Sequence, residues 1–211
     1  MKVLHVAASP RARSRSQRLA EQFLEALGSK EVTRLDLWNS PLPDLGGDVM
    51  EGRYRLIQGE PVSADVREQW SEIRTVADQA MAHDLWLIST PTWNFGIPYR
   101  LKHWIDCIVH PGMTFTNDAS GTVTGLAAGR TAVIIAAGAL DFADAEQQAA
   151  LDFQMRYLST IFQFIGIRDV HTVRAAPTFG PFNLVEAAEA RAGKKLRDLA
   201  RQLSGRGDVP S

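Results

Sequence analysis

Residues 85–98 read Leu-Trp-Leu-Ile-Ser-Thr-Pro-Thr-Trp-Asn-Phe-Gly-Ile-Pro. The opening residues are apolar, and Asp84 to Thr90 suits a strand buried on both faces. Pro91 to Pro98 holds two aromatic rings, an amide and a glycine between prolines, which is the composition of a loop. In open α/β sheets, ligands bind where loops leave the carboxyl ends of the strands. Thr92, Trp93, Asn94 and Phe95 are therefore candidates to hold a large planar ligand, with rings against its face and backbone N–H groups at its polar edge. The competing reading is that Trp93 and Phe95 are core anchors.

On both sides of this stretch, strand-like and helix-like segments alternate, as in a parallel sheet covered by crossover helices. Strands are expected at 2–8, Glu31 to Trp38, Asp84 to Thr90, Thr131 to Ala137 and Ile167 to Arg174. Helices are expected at Ser16 to Leu27, from Ser63 to Met81, Tyr99 to His110, 145–165 and Leu184 to Leu203. Residues 39–61, rich in Pro, Gly and Asp, read as a long surface loop and a possible lid. Met113 to Gly129 reads as irregular or hairpin-like. The fold class expected is a flavodoxin-like, doubly wound five-stranded α/β sheet of order 2-1-3-4-5, one domain over 1–205 with a flexible tail at 206–211. That order sets Ser9 beside Thr92.

Ser9-Pro10-Arg11-Ala12-Arg13-Ser14-Arg15-Ser16-Gln17 joins the first strand to the first helix. Its hydroxyls and free N–H groups lie at the positive end of a helix dipole, which suits an anion. The plainer alternative is that Ser14 or Ser16 only caps the helix while the arginines are solvated. No glycine lies between Val6 and Gln17, so neither the dinucleotide fingerprint nor the nucleoside-triphosphate loop is present. A single terminal phosphate fits better than a pyrophosphate.

The 211 residues are 45% hydrophobic with net charge −1, enough for a sizeable core and without the basic balance of a nucleic-acid or anionic-membrane binder. The lone Cys107 excludes an intrachain disulfide and fits a reducing compartment. Met1-Lys2 leads straight into a strand without a signal pattern, and no apolar run approaches the roughly 20 residues of a membrane span. A cytoplasmic protein is expected. His103, Cys107 and His110 share a helix face, but they span about 10 Å at 1.5 Å per residue, too far for one metal, and none is expected. Cys107 lies inside a helix rather than at a phosphate-cradling loop, which disfavours a nucleophilic role.

Taken in order, these motifs resemble the FMN-dependent NADH:azoreductase and quinone-reductase family. The likeness rests on the Ser9 and Ser14 to Ser16 loop, on 91–95, and on Ile97-Pro98 followed by Leu101-Lys102-His103-Trp104-Ile105-Asp106. It continues through Gly112-Met113-Thr114-Phe115, Gly125-Leu126, and Tyr157-Leu158-Ser159-Thr160 to Phe164-Ile165-Gly166-Ile167. It implies noncovalent FMN, with Ser9, Arg11, Ser14, Arg15 and Ser16 at the phosphate, Thr92 to Phe95 at the ring, and Ala137 and Gly138 at its pyrimidine side. It implies hydride transfer from NADH or NADPH to the flavin, then reduction of a quinone or azo compound in the same cleft, with no catalytic side chain. It also implies a homodimer in which Phe164 covers the partner's flavin.

Two departures from the family pattern stand out. Relatives commonly carry a Ser-Arg-Gly-Gly or similar turn after the fourth strand, whereas Ala136-Ala137-Gly138-Ala139-Leu140 has neither hydroxyl nor guanidinium. A lower reduction potential is the expectation. Asn117 stands where some relatives place a tyrosine near the substrate. Two other classes remain open: an electron-carrier flavodoxin, which the near-zero charge disfavours, and a flavin-binding regulatory module without turnover.

Overall fold

The computed structural model describes residues 1–142 and 144–205, apart from the side chains of residues 145, 148 and 149. The tail expected over 206–211 lies outside the described residues. The first half runs β1 (Lys2–Ala7), α1 (Arg15–Leu27), β2 (Glu31–Asp36), α2 (Gly47–Gln58), α3 (Ala64–Met81), β3 (Leu85–Pro91) and α4 (Tyr99–Ile108). The second runs β4 (Phe115–Asn117), β5 (Val123–Gly125), β6 (Thr131–Ala137), α5 (Ala145–Leu151), α6 (Phe153–Phe164), β7 (Asp169–Ala175) and α7 (Phe182–Ser204).

The main sheet has the order β2-β1-β3-β6-β7, and every neighbouring pair is parallel. β4 and β5 form a separate antiparallel hairpin, so the main strands follow the expected 2-1-3-4-5 order. The central strands divide their side chains between two cores. Leu4, Val6, Trp86, Ile88 and Ile134 cluster with residues of α3, α4 and α6, among them Trp70, Trp104 and Phe162. Val3, Leu85, Leu87, Val133 and Ile135 cluster with Leu19 and Phe23 of α1 and Leu196 of α7. Burial on both faces is why β3 and β6 read as unbroken apolar runs.

Helix α1 begins at Ser14, whose hydroxyl accepts from the Gln17 amide at 3.3 Å, and ends at Gly28 in the left-handed region. Its first turn therefore opens at the carboxyl edge of the sheet. β2 stops at Asp36 rather than Trp38 because the Asp36 carboxylate accepts from the Trp38 amide at 2.9 Å and turns the chain.

Two expectations need correction. Residues 39–61 are not one loop, because α2 occupies 47–58 and packs on α3. Val49 is buried, Arg53 lies 4.9 Å over the Trp70 ring, and a Cβ on Gly52 would stand 2.3 Å from Val66 Cγ1. The glycines at 47 and 52 and a narrow buried face hide the helical period, and the helix is stabilised by contact with α3. The helix expected over 145–165 is two helices, divided at Asp152, whose carboxylate accepts from the Met155 amide at 3.0 Å and starts α6. Leu151 is exposed, while Leu158, Phe162 and Ile165 carry the apolar stripe into the core. Among the described residues no helix is long and apolar enough to cross a membrane.

Candidate cofactor site

The loop after β1 and the strand ends of β3 and β6 border one cavity of about 320 Å³. Ser9, Arg11, Arg13, Ser14, Arg15 and Ser16 line it from one side, and Pro91, Ala137 and Thr178 from the other. The hydroxyls are set by short local bonds. Ser14 Oγ and Ser16 Oγ lie 3.1 Å apart, and Ser9 Oγ accepts from the Arg11 amide at 3.4 Å. Ser14 thus caps α1 and lines the cavity at once. Its oxygen accepts from Gln17, which leaves its own O–H to donate.

The four arginines of this region divide into two kinds. Arg15 and Arg18 both donate to the Glu189 carboxylate on α7, Arg15 at 2.5 Å. Arg11 and Arg13 are exposed and pair with no carboxylate among the described residues. Net positive charge therefore gathers beside the hydroxyls at the α1 N-terminus, where the helix dipole adds to it.

The aromatic loop is a tight turn closed by Trp93 N donating to Gly96 O at 3.1 Å and Gly96 N donating to Trp93 O at 2.8 Å. Asn94 (φ 48°) and Phe95 (φ 66°) both occupy the left-handed region, the geometry of a type I′ turn. Asn tolerates that region; Phe is strained there by roughly 1–2 kcal/mol. Trp93 and Phe95 are 38% and 39% exposed, so they are not core anchors. Trp38, two residues past the end of β2, braces the turn. Its Nε1 donates to Ala8 O at 3.1 Å, and its ring meets Trp93 edge to face at 5.9 Å.

Beneath the turn lies a polar network that local sequence patterns did not reveal. Thr92 N donates to Ala137 O at 2.9 Å, joining the ends of β3 and β6. Thr92 Oγ1 donates to Gln154 Oε1 at 2.6 Å and accepts from Arg174 Nη1 at 3.2 Å. The fully buried Gln154 amide donates to Pro91 O at 2.8 Å. Arg174 Nη2 in turn donates to Asp152 Oδ1 at 2.5 Å. Gly138 is required here, since a Cβ would stand 2.9 Å from Thr92 Oγ1. The Gly138 amide is already committed to Ala175 O at 3.1 Å.

The sequence profile of the flavodoxin-like fold matches residues 1–199. The chain is 35% identical over 203 residues to FMN-dependent NADH:quinone oxidoreductase 1 of Bradyrhizobium diazoefficiens, covering 94% of this chain and 98% of that one. It is 34% identical over 212 residues to FMN-dependent NADH:quinone oxidoreductase 3 of Pseudomonas fluorescens, covering 97% and 98%. The chain belongs to the flavodoxin-like FMN-dependent NADH:quinone oxidoreductase family. Its fold matches that of an FMN-dependent NADH-azoreductase from Bacillus anthracis crystallised with FMN, at TM-score 0.83 and 23% identity over 96% of this chain and 99% of the other.

For a chain of this oxidoreductase family, the remaining predicted residues fall in two other places. Asn117 lies exposed on β4, and Phe164, 41% exposed at the end of α6, meets Phe115 edge to face at 4.9 Å. Neither lines the cavity that holds Ser9, nor does any residue of α2, nor do Thr92, Trp93, Asn94, Phe95 and Gly138, which follow its lining residues Pro91 and Ala137 in the chain. The His103 ring lies 2.8 Å from Pro43 O, and the buried Cys107 thiol turns to the same carbonyl. Burial pushes that thiol up to about 12, the state of an inert side chain.

Proposed function

We propose that the chain is an FMN-dependent oxidoreductase that carries two electrons from NADH or NADPH to a quinone or azo compound, donor and acceptor using one cleft in turn. Bound FMN supplies the redox chemistry, as it does in the named relatives. The residues present fit that group. Ser9, Ser14, Ser16 and the α1 amides, with Arg11 and Arg13 paired to no carboxylate among the described residues, suit a phosphomonoester. Trp93 and Phe95 present aromatic surface, and the rigid turn holds the Asn94 and Phe95 amides at its tip. Arg15, tied to Glu189, fixes the first turn of α1 more than it adds free charge.

The supporting observation is the shared cavity: the Ser9 loop and the ends of β3 and β6 border the same space. Residues 1–205 are read as one cytoplasmic domain acting as a homodimer. Asn117 and Phe164 are both exposed, which supports their reaching a partner's site. The test is FMN uptake by absorption spectrum, with Ser9→Ala titrated against FMN and riboflavin. Ser9→Ala should weaken FMN by about 1–3 kcal/mol and leave riboflavin nearly unchanged. Equal losses for both ligands would remove the phosphate contact.

A further inference from the structure

The Ala136–Leu140 turn carries no guanidinium and no hydroxyl side chain, yet the region does not lack a guanidinium. Arg174 on β7 brings one to within 3.6 Å of the Cβ position of Gly138 and donates to Thr92 Oγ1. It enters from the neighbouring strand, paired with β6 through the register Ala136 to Arg174. Arg174 is held from three sides: by the Asp152 carboxylate, by Thr92, and by the Phe142 ring 4.9 Å from its Cζ. Its side chain is 14% exposed and that of Asp152 is 6% exposed. Its Nε is buried without a hydrogen-bond partner among the described residues.

Burying an ion pair rarely stabilises a fold over well-packed apolar residues, so the pair's presence at this edge points to a role other than stability. We propose that Arg174 and Asp152 are positioning residues for the ring end of the cofactor site. The guanidinium fixes the Thr92 hydroxyl at the root of the aromatic turn. From β7 it also brings a guanidinium, paired with the Asp152 carboxylate, beside the turn after β6, which carries none. The pair is balanced, so removing either partner leaves the opposite charge uncompensated near a ring that gains negative charge on reduction.

This inference rests on the FMN reading, and one set of variants separates the two. The FMN-loaded protein is compared with Arg174→Gln, Arg174→Lys, Asp152→Asn and the double variant Arg174→Gln/Asp152→Asn by potentiometry and by FMN and riboflavin titration. Asn keeps an oxygen both for the α6 cap and for Arg174 Nη2, so Asp152→Asn is milder than truncation to Ala. Arg174→Gln should lower the reduction potential and Asp152→Asn should raise it. Each shift should be about tenfold in the redox equilibrium, ~30 mV for a two-electron couple. The double variant should return close to the parent. Arg174→Lys should hold the potential while weakening FMN and riboflavin equally, several-fold, because a point charge cannot replace the guanidinium fork. Shifts of the same sign in the two single variants, or no shift in either, overturn the inference. Should Arg174→Gln fail to fold, Asp152→Asn decides alone, and an unmoved or lowered potential overturns it. A parent protein that takes up no FMN sinks the cofactor reading itself.

Discussion

The loops at 9–17 and 92–96 leave adjacent strands of one sheet, yet they are built in opposite ways. The first is held from its own end by a helix cap and short hydroxyl contacts, with Arg11 and Arg13 exposed and paired to no carboxylate among the described residues. The second is held from beneath by buried side chains distant in sequence, and its tip carries a strained phenylalanine. A charged, freely solvated group can be met by mobile cations whose attraction falls off gradually with distance. A flat ring needs surfaces fixed in angle, and fixing them takes a supporting layer. The proposed binding mode accounts for the difference in construction by giving each loop one end of a single ligand.

That contrast can be broken most severely through stability. Asp152→Ala leaves the buried Arg174 guanidinium unpaired and should cost ~3–5 kcal/mol in urea unfolding. Arg11→Ala/Arg13→Ala, on the other loop, should change stability by no more than about 0.5 kcal/mol per site. Similar costs for both would erase the distinction between a supported loop and a solvated one.

A second effect should strike both loops together, because they share a floor. His5 on β1 and Ser89 on β3 meet at 2.9 Å between Nε2 and Oγ, below both strand ends. Burial lowers the His5 pKa to about 4, against which nearby Glu21 acts only partly. Below its ordinary value of 6.5 the unfolded chain binds a proton at His5 that the folded protein refuses. Stability should therefore fall as pH drops from 6.5 to about 4, by up to ~3 kcal/mol, and this contribution should level off below that. Unfolding curves for His5→Gln should show a flatter dependence over the same window. An unchanged slope would remove His5 from the floor's pH response.

Binding then sharpens the contrast. Arg11→Ala/Arg13→Ala should weaken FMN by about 1.5–3 kcal/mol at low salt and lose that difference as salt screens the contact. Riboflavin affinity, measured by the same fluorescence titration, should hold. The smallest expected effect is at the strained turn. Phe95→Gly should raise stability by about 1 kcal/mol by relieving the left-handed φ, while weakening FMN and riboflavin alike. A stability loss there would mean that the Phe95 ring contributes more packing than its exposure indicates.

Much of this architecture is legible before any coordinates. The unbroken apolar run of β3, the alternation of elements, and Ser14 ahead of α1 carry their own physical signatures, and the topology alone sets Ser9 beside Thr92. Helix α2 is not legible because its stability comes from α3, against which Gly52 packs, rather than from its own pattern. Asp152 as a helix start is masked by apolar residues that keep a helical spacing across it. The support under Thr92 is hidden for a different reason: Gln154 and Arg174 lie 62 and 82 residues away along the chain, and single polar residues have no period. Trp38 left a signal, an aromatic at the carboxyl end of β2, which reads equally well as the end of the strand.

The central claim is that these two loops hold the tail and the ring of one flavin mononucleotide. Hydrogen exchange by mass spectrometry, with and without saturating FMN, tests it directly. The account requires slowed exchange in both 9–17 and 92–96. Protection of only one of those segments, or protection confined to other parts of the molecule, would contradict it.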